Sequence, residues 1–480
     1  MARKKKKVRI IEQLLVEDYA AEGRSLARWE GKVVFIERTV PGDIVDVYLF
    51  KNKKDWAEGF PIKFHTYSSR RIQPFCIHFG DCGGCQWQMV SYEEQLRFKQ
   101  QQVIDALERI AKIELPPINP IIGAASDRFY RNKLEYTFGT KRYVPEQEFQ
   151  ENRDIINTKK DQPAIGFHAK GLFDKIVNIE KCWLQKDPSN EIREALRTYA
   201  ELEGLGFYDV RQHTGYLRNV QLRVCTTGEI MANVIVAEED EAKTRKMMDW
   251  LSHNVKGVST WLYTVNRKKN DSLYDLEPVI YSGKGYVIEE LSSGKERYRF
   301  KIGPTSFFQT NTQQAERLYS IAMEYAALTG HETVYDLYCG TGSIGIFMSG
   351  KAGKIIGVEL IEAAISDAKE NAALNKLDFA DFYAGDVIDI CNDAFFQKNG
   401  KPDVIVTDPP RAGMHTKLVN KILEIAAPIV VYVSCNPATQ ARDLKLLDQL
   451  YAVTAVQPVD MFPHTHHIET VVQLKLRTTS

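Results

Sequence analysis

Residues 334–347 read VYDLYCGTGSIGIF. An apolar run of strand type breaks at Gly340, Gly342 and Gly345, and a run of helix type follows. This is a G-x-G-x-x-G turn in strand-to-helix context, where glycines permit a tight turn and close backbone approach to a ligand. Glu359 ends the next strand-type run, 19 residues after Gly340, where a carboxylate suits a pair of ribose hydroxyls. Taken alone the stretch marks a nucleotide pocket, and both NAD and S-adenosylmethionine (SAM) fit it.

Outward from this turn the pattern is regular. Strand-like runs lie at 333–338, 354–359, 379–383, 403–408, 429–434, 452–459 and 470–476. Helical stretches, including 312–328 and 361–375, separate most of them. Such alternation predicts a mostly parallel, doubly wound α/β sheet over residues 301–480. The short loop between the last two runs favours an antiparallel end. Ligands of open α/β sheets bind beyond the carboxyl ends of the strands. Asp336 and Tyr338, Asp386, Asp408 and Cys435 fall at the first, third, fourth and fifth strand ends, and so converge on one crevice. Each acid alone would read as a helix cap or a loop charge; their coincidence favours SAM.

Two further segments carry chemistry. TDPPRAG at 407–413 places Arg411 where amino-directed methyltransferases usually have an aromatic, which argues against methylation of an exocyclic amine. VVYVSCNPATQARDL at 430–444 puts Cys435 directly after an apolar strand. By residue type a lone cysteine there is most often a small buried hydrophobe. Beside a methyl-donor pocket it has another use. C5 of a pyrimidine accepts a methyl group only once a thiolate has added at C6. A base must then take the C5 proton so that the thiol can leave. Glu469, just before the last strand in MFPHTHHIETVVQLKL at 461–476, is the candidate base. His464, His466 and His467 crowd the same loop without regular ligand spacing, so they are expected to line or pack it.

The N-terminal part has a different texture. VRIIEQLLV at 8–16, KVVFIERTV at 32–40 and IVDVYLF at 44–50 are short strand-like runs divided by turn signals, which suggests a small OB-like barrel over 1–70. The loop KNKKDWAEGF at 51–60 reads either as a solvated hairpin tip or as a phosphate-contacting edge with a stacking ring. Cys76, Cys82 and Cys85 give C-x5-C-x2-C, and Cys182 follows in IEKCWLQ. Thiolates serve zinc and iron–sulfur clusters alike, and spacing leaves that choice open. Cys225, Cys339 and Cys391 have no partners at useful spacing and read as structural. Ser91 and Glu94 have capping-box spacing before a helix whose face carries Leu96, Val103, Leu107 and Ile110. Strand-like runs at 134–138, 219–224, 230–236 and 258–265 predict an α+β domain over 71–300. Within it, FYRNKLEYTF at 129–138 alternates Arg131 and Lys133 with aromatics, a nucleic-acid face or an ordinary half-exposed strand.

The whole chain has 480 residues, 63 Lys+Arg and 63 Asp+Glu. Zero net charge excludes a wholly basic nucleic-acid coat and an acidic disordered chain. Residues 1–80 nevertheless carry a net +6 and the remainder −6, so a polyanion would be met at the N-terminal end. Arg3, Lys4, Lys5, Lys6, Lys7 and Arg9 supply phosphate contacts or form a free basic arm. The basic start lacks the apolar stretch of a secretory signal, and no apolar run reaches 18 residues. The expected location is the cytoplasm, with reduced cysteines, no membrane contact and no obligate protein partner.

Taken together, the motifs closely resemble the RNA uracil-5-methyltransferases, in particular the cluster-containing 23S rRNA branch. The resemblance rests on the cysteine set, SFFQTN at 306–311, DLYCGTG at 336–342, TDPPRAG, SCNPAT and HIET, and it spans nearly the whole chain. The segment PGDIVDVYLFKNKKDWAEG resembles a TRAM domain, an RNA-binding barrel. The resemblance implies SAM-dependent C5 methylation of uridine in RNA, with Cys435 as nucleophile and Glu469 as base. It carries SAM contacts to Gln309, Tyr338, Glu359 and Asp408, beside the turn at Gly340, and sets Asp386 near the adenine. Some relatives have Asn where this chain has Ser343. For Cys76, Cys82, Cys85 and Cys182 it implies a [4Fe–4S] cluster rather than zinc. Transfer RNA as the target, cytosine-5 methylation of RNA, an NAD-dependent oxidoreductase and a non-enzymatic RNA-binding protein are the other readings.

Overall fold

The computed structural model describes residues 9–151 and 162–477. The lysine run at 3–7 lies outside them. The chain builds three large sheets in succession.

The first is six-stranded, ordered Arg9–Leu15, Ile44–Asn52, Trp56–Thr66, Lys32–Ile36, Ser25–Trp29, Asp18–Tyr19. Alternation drives it: Val45, Val47 and Leu49 point inward while Asp46 and Tyr48 face out. Ile11, Leu14, Ala27, Val34, Ile36 and Ala57 join them in one core beneath the curled sheet. The segment read as a loop at 51–60 is mostly strand. Only Lys53–Asp55 turns, and Trp56 starts an 11-residue strand.

The second sheet has seven strands, with Lys133–Gly139 and Leu217–Val224 at its interior and the helices Ser189–Glu203 and Glu241–Asn254 packed against it. Of the two readings of FYRNKLEYTF, the half-exposed strand holds, with residues 133–138 alternating half-buried and buried. Lys133 opens an inner strand, and burial pulls its ammonium below the usual lysine range.

The third sheet is ordered Ala380–Ala384, Lys354–Glu359, Thr333–Leu337, Val404–Thr407, Ile429–Ser434, Glu469–Leu476, Tyr451–Val459. The first five strands run parallel. Glu469–Leu476 is antiparallel to both its neighbours and lies between them. Its amino end thus shares an edge with the carboxyl ends of the parallel strands.

Space does not follow chain order at the domain edges. The hairpin Val287–Ser293/Glu296–Ile302 packs with Leu318, Val334 and Phe347, so it belongs with the third sheet. The helix Tyr92–Ala106, prolonged by a π turn at Leu107–Ala111, packs Val103, Leu107 and Ala111 against Tyr335, Leu337 and Tyr432 of that same sheet. Ser91 caps the helix, its Oγ accepting from Glu94 N–H at 3.3 Å. The π turn shifts the helical phase, so Ile110 is 41% exposed instead of sharing the buried face of Val103 and Leu107.

Candidate active site

The turn after Thr333–Leu337 holds three left-handed residues: Tyr338 (φ 61°), Gly340 (φ 53°) and Gly342 (φ 78°). A Cβ on Gly342 would stand 2.9 Å from Phe382 Cε1, so glycine is required there. The Cβ side of Gly340 is open space. Asp336 is fully buried; its Oδ2 accepts from Gly345 N–H at 2.9 Å and its Oδ1 has no partner. Glu359 is oriented by N–H groups from Gly340 (3.3 Å) and Ile361 (3.0 Å). Gln309 is buried across the turn. Its segment is tied there by Thr341 Oγ1 donating to Phe307 O at 3.3 Å, and by Asn132 Nδ2 donating to Gln309 O at 2.8 Å. Asp386 is exposed, caps the short helix Val387–Ile390 and lies in electrostatic range of Tyr338.

The crevice is acid-lined. Burial pushes the Asp336 carboxyl up to about 7, and Asp408 and Glu359 push the same way. A dinucleotide would bring its pyrophosphate into this field and be repelled. SAM brings a sulfonium and an ammonium, which the carboxylates and the orphan Asp336 Oδ1 can meet. The helix after the turn, Ser343–Met348, spans six residues, too short to offset that repulsion. The donor set therefore fits SAM and not NAD.

Strand pairing brings the reactive groups together. Ser434 pairs with Thr470, so the next residues outward, Cys435 and Glu469, emerge side by side. Glu469 is 5% exposed. Burial, then Asp408, hold its carboxyl well above the usual range, and Arg411 opposes them. Burial pushes the Cys435 thiol up to about 11, with Glu469 and Asp408 adding to the shift and Arg411 pulling it back. Arg411 also donates to the His467 ring. Its backbone is pinned, since Asn436 Nδ2 and Thr439 Oγ1 both donate to Arg411 O, at 3.1 and 3.2 Å. Buried Asp443 fixes the same loop, accepting from Met414 N–H and Tyr432 OH at 2.8 Å each.

Cys435 opens onto a cavity of about 920 Å³. Arg411, His466 and His467 line one side; Tyr19, Arg28 and Phe35 of the first sheet and Arg97 of the helix line the other. The first sheet's share in this wall was missed in sequence. The helical share was readable: Arg97, Gln101 and Asp105 recur at i, i+4 and all reach the cavity.

Cys76, Cys82, Cys85 and Cys182 line a second cavity, of about 140 Å³, with Arg131. Among the described residues, no group of three or more His, Cys, Asp or Glu is arranged to hold a metal ion. That supports neither the zinc nor the [4Fe–4S] expectation for Cys76, Cys82, Cys85 and Cys182. Burial pushes the Cys82 and Cys85 thiols up to about 12, and the neighbouring cysteines add to it. The histidine trio packs its loop instead: His464 is 3% exposed and His466 Nδ1 meets Gln86 Oε1 at 2.5 Å.

Among the described residues no helix is long and apolar enough to cross a membrane. Residues 277–477 match a family described as tRNA (uracil-5-)-methyltransferase. The chain is 50% identical over 462 residues to an uncharacterized RNA methyltransferase of Bacteroides thetaiotaomicron, covering 95% of this chain and 100% of that one. A second uncharacterized RNA methyltransferase, from Porphyromonas gingivalis, is 44% identical over 96% of this chain and 99% of its own. A solved structure of Pyrococcus abyssi tRNA (uracil-54, C5)-methyltransferase in complex with S-adenosyl-L-homocysteine superposes with a TM-score of 0.72 at 26% identity. The match covers 96% of this chain and 100% of that one.

Proposed function

The chain belongs to the RNA uracil-5-methyltransferase family, SAM-dependent enzymes, and from that premise we propose that it makes 5-methyluridine in 23S ribosomal RNA through a covalent bond to Cys435. The adjacency of Cys435 and Glu469 at an acid-lined crevice carries this reading.

Gln309, Tyr338, Glu359 and Asp408 would hold SAM, with the buried Asp336 carboxyl adding to the field behind the turn, and SAM would supply an electrophilic methyl group. The target uridine leaves its stack and enters the cavity that Cys435 lines. Arg411 draws the thiol toward its thiolate, and the sulfur adds to C6. The electron pair released to C5 would take the methyl group as its bond to the sulfonium sulfur breaks and leaves the neutral thioether. Glu469 then removes the C5 proton, the C–H electrons re-form C5=C6, and Cys435 departs as thiolate. A carboxyl whose proton affinity burial has raised suits that step.

The first sheet serves as a TRAM-type RNA-binding barrel, supported by its place in the cavity wall opposite Cys435. Cys76, Cys82, Cys85 and Cys182 hold a [4Fe–4S] cluster, supported by four thiols around one cavity with Arg131 beside them. A second reading takes transfer RNA as the target, favoured by the tRNA specificity in the name of the Pyrococcus abyssi enzyme. RNA carrying tritium at C5 of uridine or of cytidine, presented as 23S rRNA and as tRNA, separates these cases. Tritium release from uridine in 23S rRNA is expected; release from cytidine or only from tRNA refutes the proposal.

A further inference from the structure

The loop between strands Tyr451–Val459 and Glu469–Leu476 ends on Glu469, and His466 and His467 within it wall the cavity beside Cys435. Five consecutive carbonyls of this loop each accept a hydrogen bond from outside it. Asp460 O takes Gln314 Nε2 (2.7 Å), Met461 O takes Asn311 Nδ2 (2.9 Å) and Phe462 O takes Lys99 Nζ (3.1 Å). Pro463 O takes Tyr130 OH (3.0 Å), and His464 O takes the N–H groups of Gln86 (2.7 Å) and Trp87 (3.1 Å).

Side chains repeat the pattern. The Asp460 carboxylate receives Lys99 Nζ at 2.6 Å and Tyr92 OH at 2.9 Å, and neither Lys99 nor Asp460 has side-chain exposure. Gln95 Oε1 accepts His464 N–H at 2.8 Å, and Gln86 Oε1 meets His466 Nδ1. Gln86, Trp87, Tyr92, Gln95 and Lys99 all belong to one short segment, which starts next to Cys85 and runs into the helix Tyr92–Ala106. A loop of this length held only at its ends would sample many conformers.

We infer that residues 86–99 are a clamp that positions the loop 460–468, with Lys99 at its centre, so that the four-cysteine site acts mechanically on the surroundings of Glu469. The inference rests on the proposal that Glu469 is the base. Strand pairing sets the backbone of Glu469, while the clamped loop sets what surrounds its carboxylate. Cys435 follows a different strand, Ile429–Ser434, outside the loop 460–468 that the clamp holds. Loosening the clamp therefore slows the step that needs Glu469 more than the step that needs Cys435.

The test uses the full chain with SAM and a uridine-containing rRNA fragment. Adduct formation and adduct resolution are timed separately by denaturing gel, beside hydrogen exchange of residues 460–468. In Lys99→Met, resolution is expected to slow on the order of 10²-fold, as for a misplaced catalytic group. Adduct formation and SAM affinity stay within a small factor, loop amides lose protection, and Lys99→Arg restores part of the loss. Should Lys99→Met not fold, Gln86→Ala, which keeps the buried ion pair, is expected to show the same asymmetry more weakly. Equal slowing of both steps, or unchanged resolution, overturns the clamp. Glu469→Gln runs in parallel. If it traps adduct while the clamp variants resolve normally, the clamp alone fails; if it traps none, the base assignment and the clamp fall together.

Discussion

Cys435 and Glu469 each lie one residue beyond the Ser434–Thr470 pair that closes the ladder at the antiparallel boundary of the third sheet. The side-chain period of a strand is two, so a one-residue slip there would turn one of the two groups away. The proposed nucleophile and base thus both follow from the backbone ladder of two neighbouring strands.

Glu469→Gln is expected to add to RNA, accept the methyl group and stop. Turnover falls ~10²–10⁴-fold, the span of a general base, and a covalent RNA–protein band accumulates under turnover conditions. A fast variant without that band contradicts the role of Glu469.

Cys435→Ala is expected to lose adduct and methylation while binding SAM with unchanged affinity. In the free wild-type protein the thiol lies near 11, so alkylation of Cys435 should climb about tenfold per pH unit across the neutral range. A rate that is already flat at pH 8 contradicts this.

SAM affinity should depend on pH through Asp336. Burial and the facing carboxylates raise its pKa to about 7, so the free protein holds this proton below that value. A cationic ligand favours the ionised form and expels the proton. Affinity therefore tightens as pH rises toward about 7 and then levels, with proton release visible by calorimetry in buffers of different ionisation enthalpy. The stability sign runs the other way. A carboxyl raised from 3.8 contributes most below that value and loses its contribution as pH climbs through about 7, so the ligand-free melting temperature falls over that window.

Breaking the Lys99–Asp460 pair should be costly. Lys99→Met leaves an unpaired buried carboxylate and destabilises by ~3–5 kcal/mol, whereas Lys99→Met with Asp460→Leu recovers most of that loss. Thermal shift of the two variants checks it. Equal losses would mean that the helix and not the pair dominates.

Protein prepared without oxygen is expected to be brown, with about four irons per chain. Substituting Cys76, Cys82, Cys85 or Cys182 by Ser bleaches it. Stoichiometric zinc without iron overturns the cluster.

The third sheet was legible because its strands are apolar runs cut by glycine and acidic residues, and those signals are local. Strand positions 354–359 and 429–434 agree with the structure to the residue. The strand Trp56–Thr66 was hidden because a glycine and a proline within it, tolerated in exposed strands, and the lysines just before it imitate a loop. FYRNKLEYTF left two readings open, and the half-exposed strand holds, with Arg131 turning inward to the cysteine cavity. Lys99 and Asp460 carried no sequence signal at all. Each looks like one more surface charge, and 361 residues separate them.

That separation also orders events in time. A ribosome finishes the cysteine pair at 82–85 and the helix Tyr92–Ala106 long before it makes the strands on which the helix rests. The early module must wait, with an apolar helix face and a lysine destined for burial, until the third sheet and Asp460 have emerged. A nascent chain halted before Asp460 would carry all four cysteines but lack the carboxylate that seats Lys99.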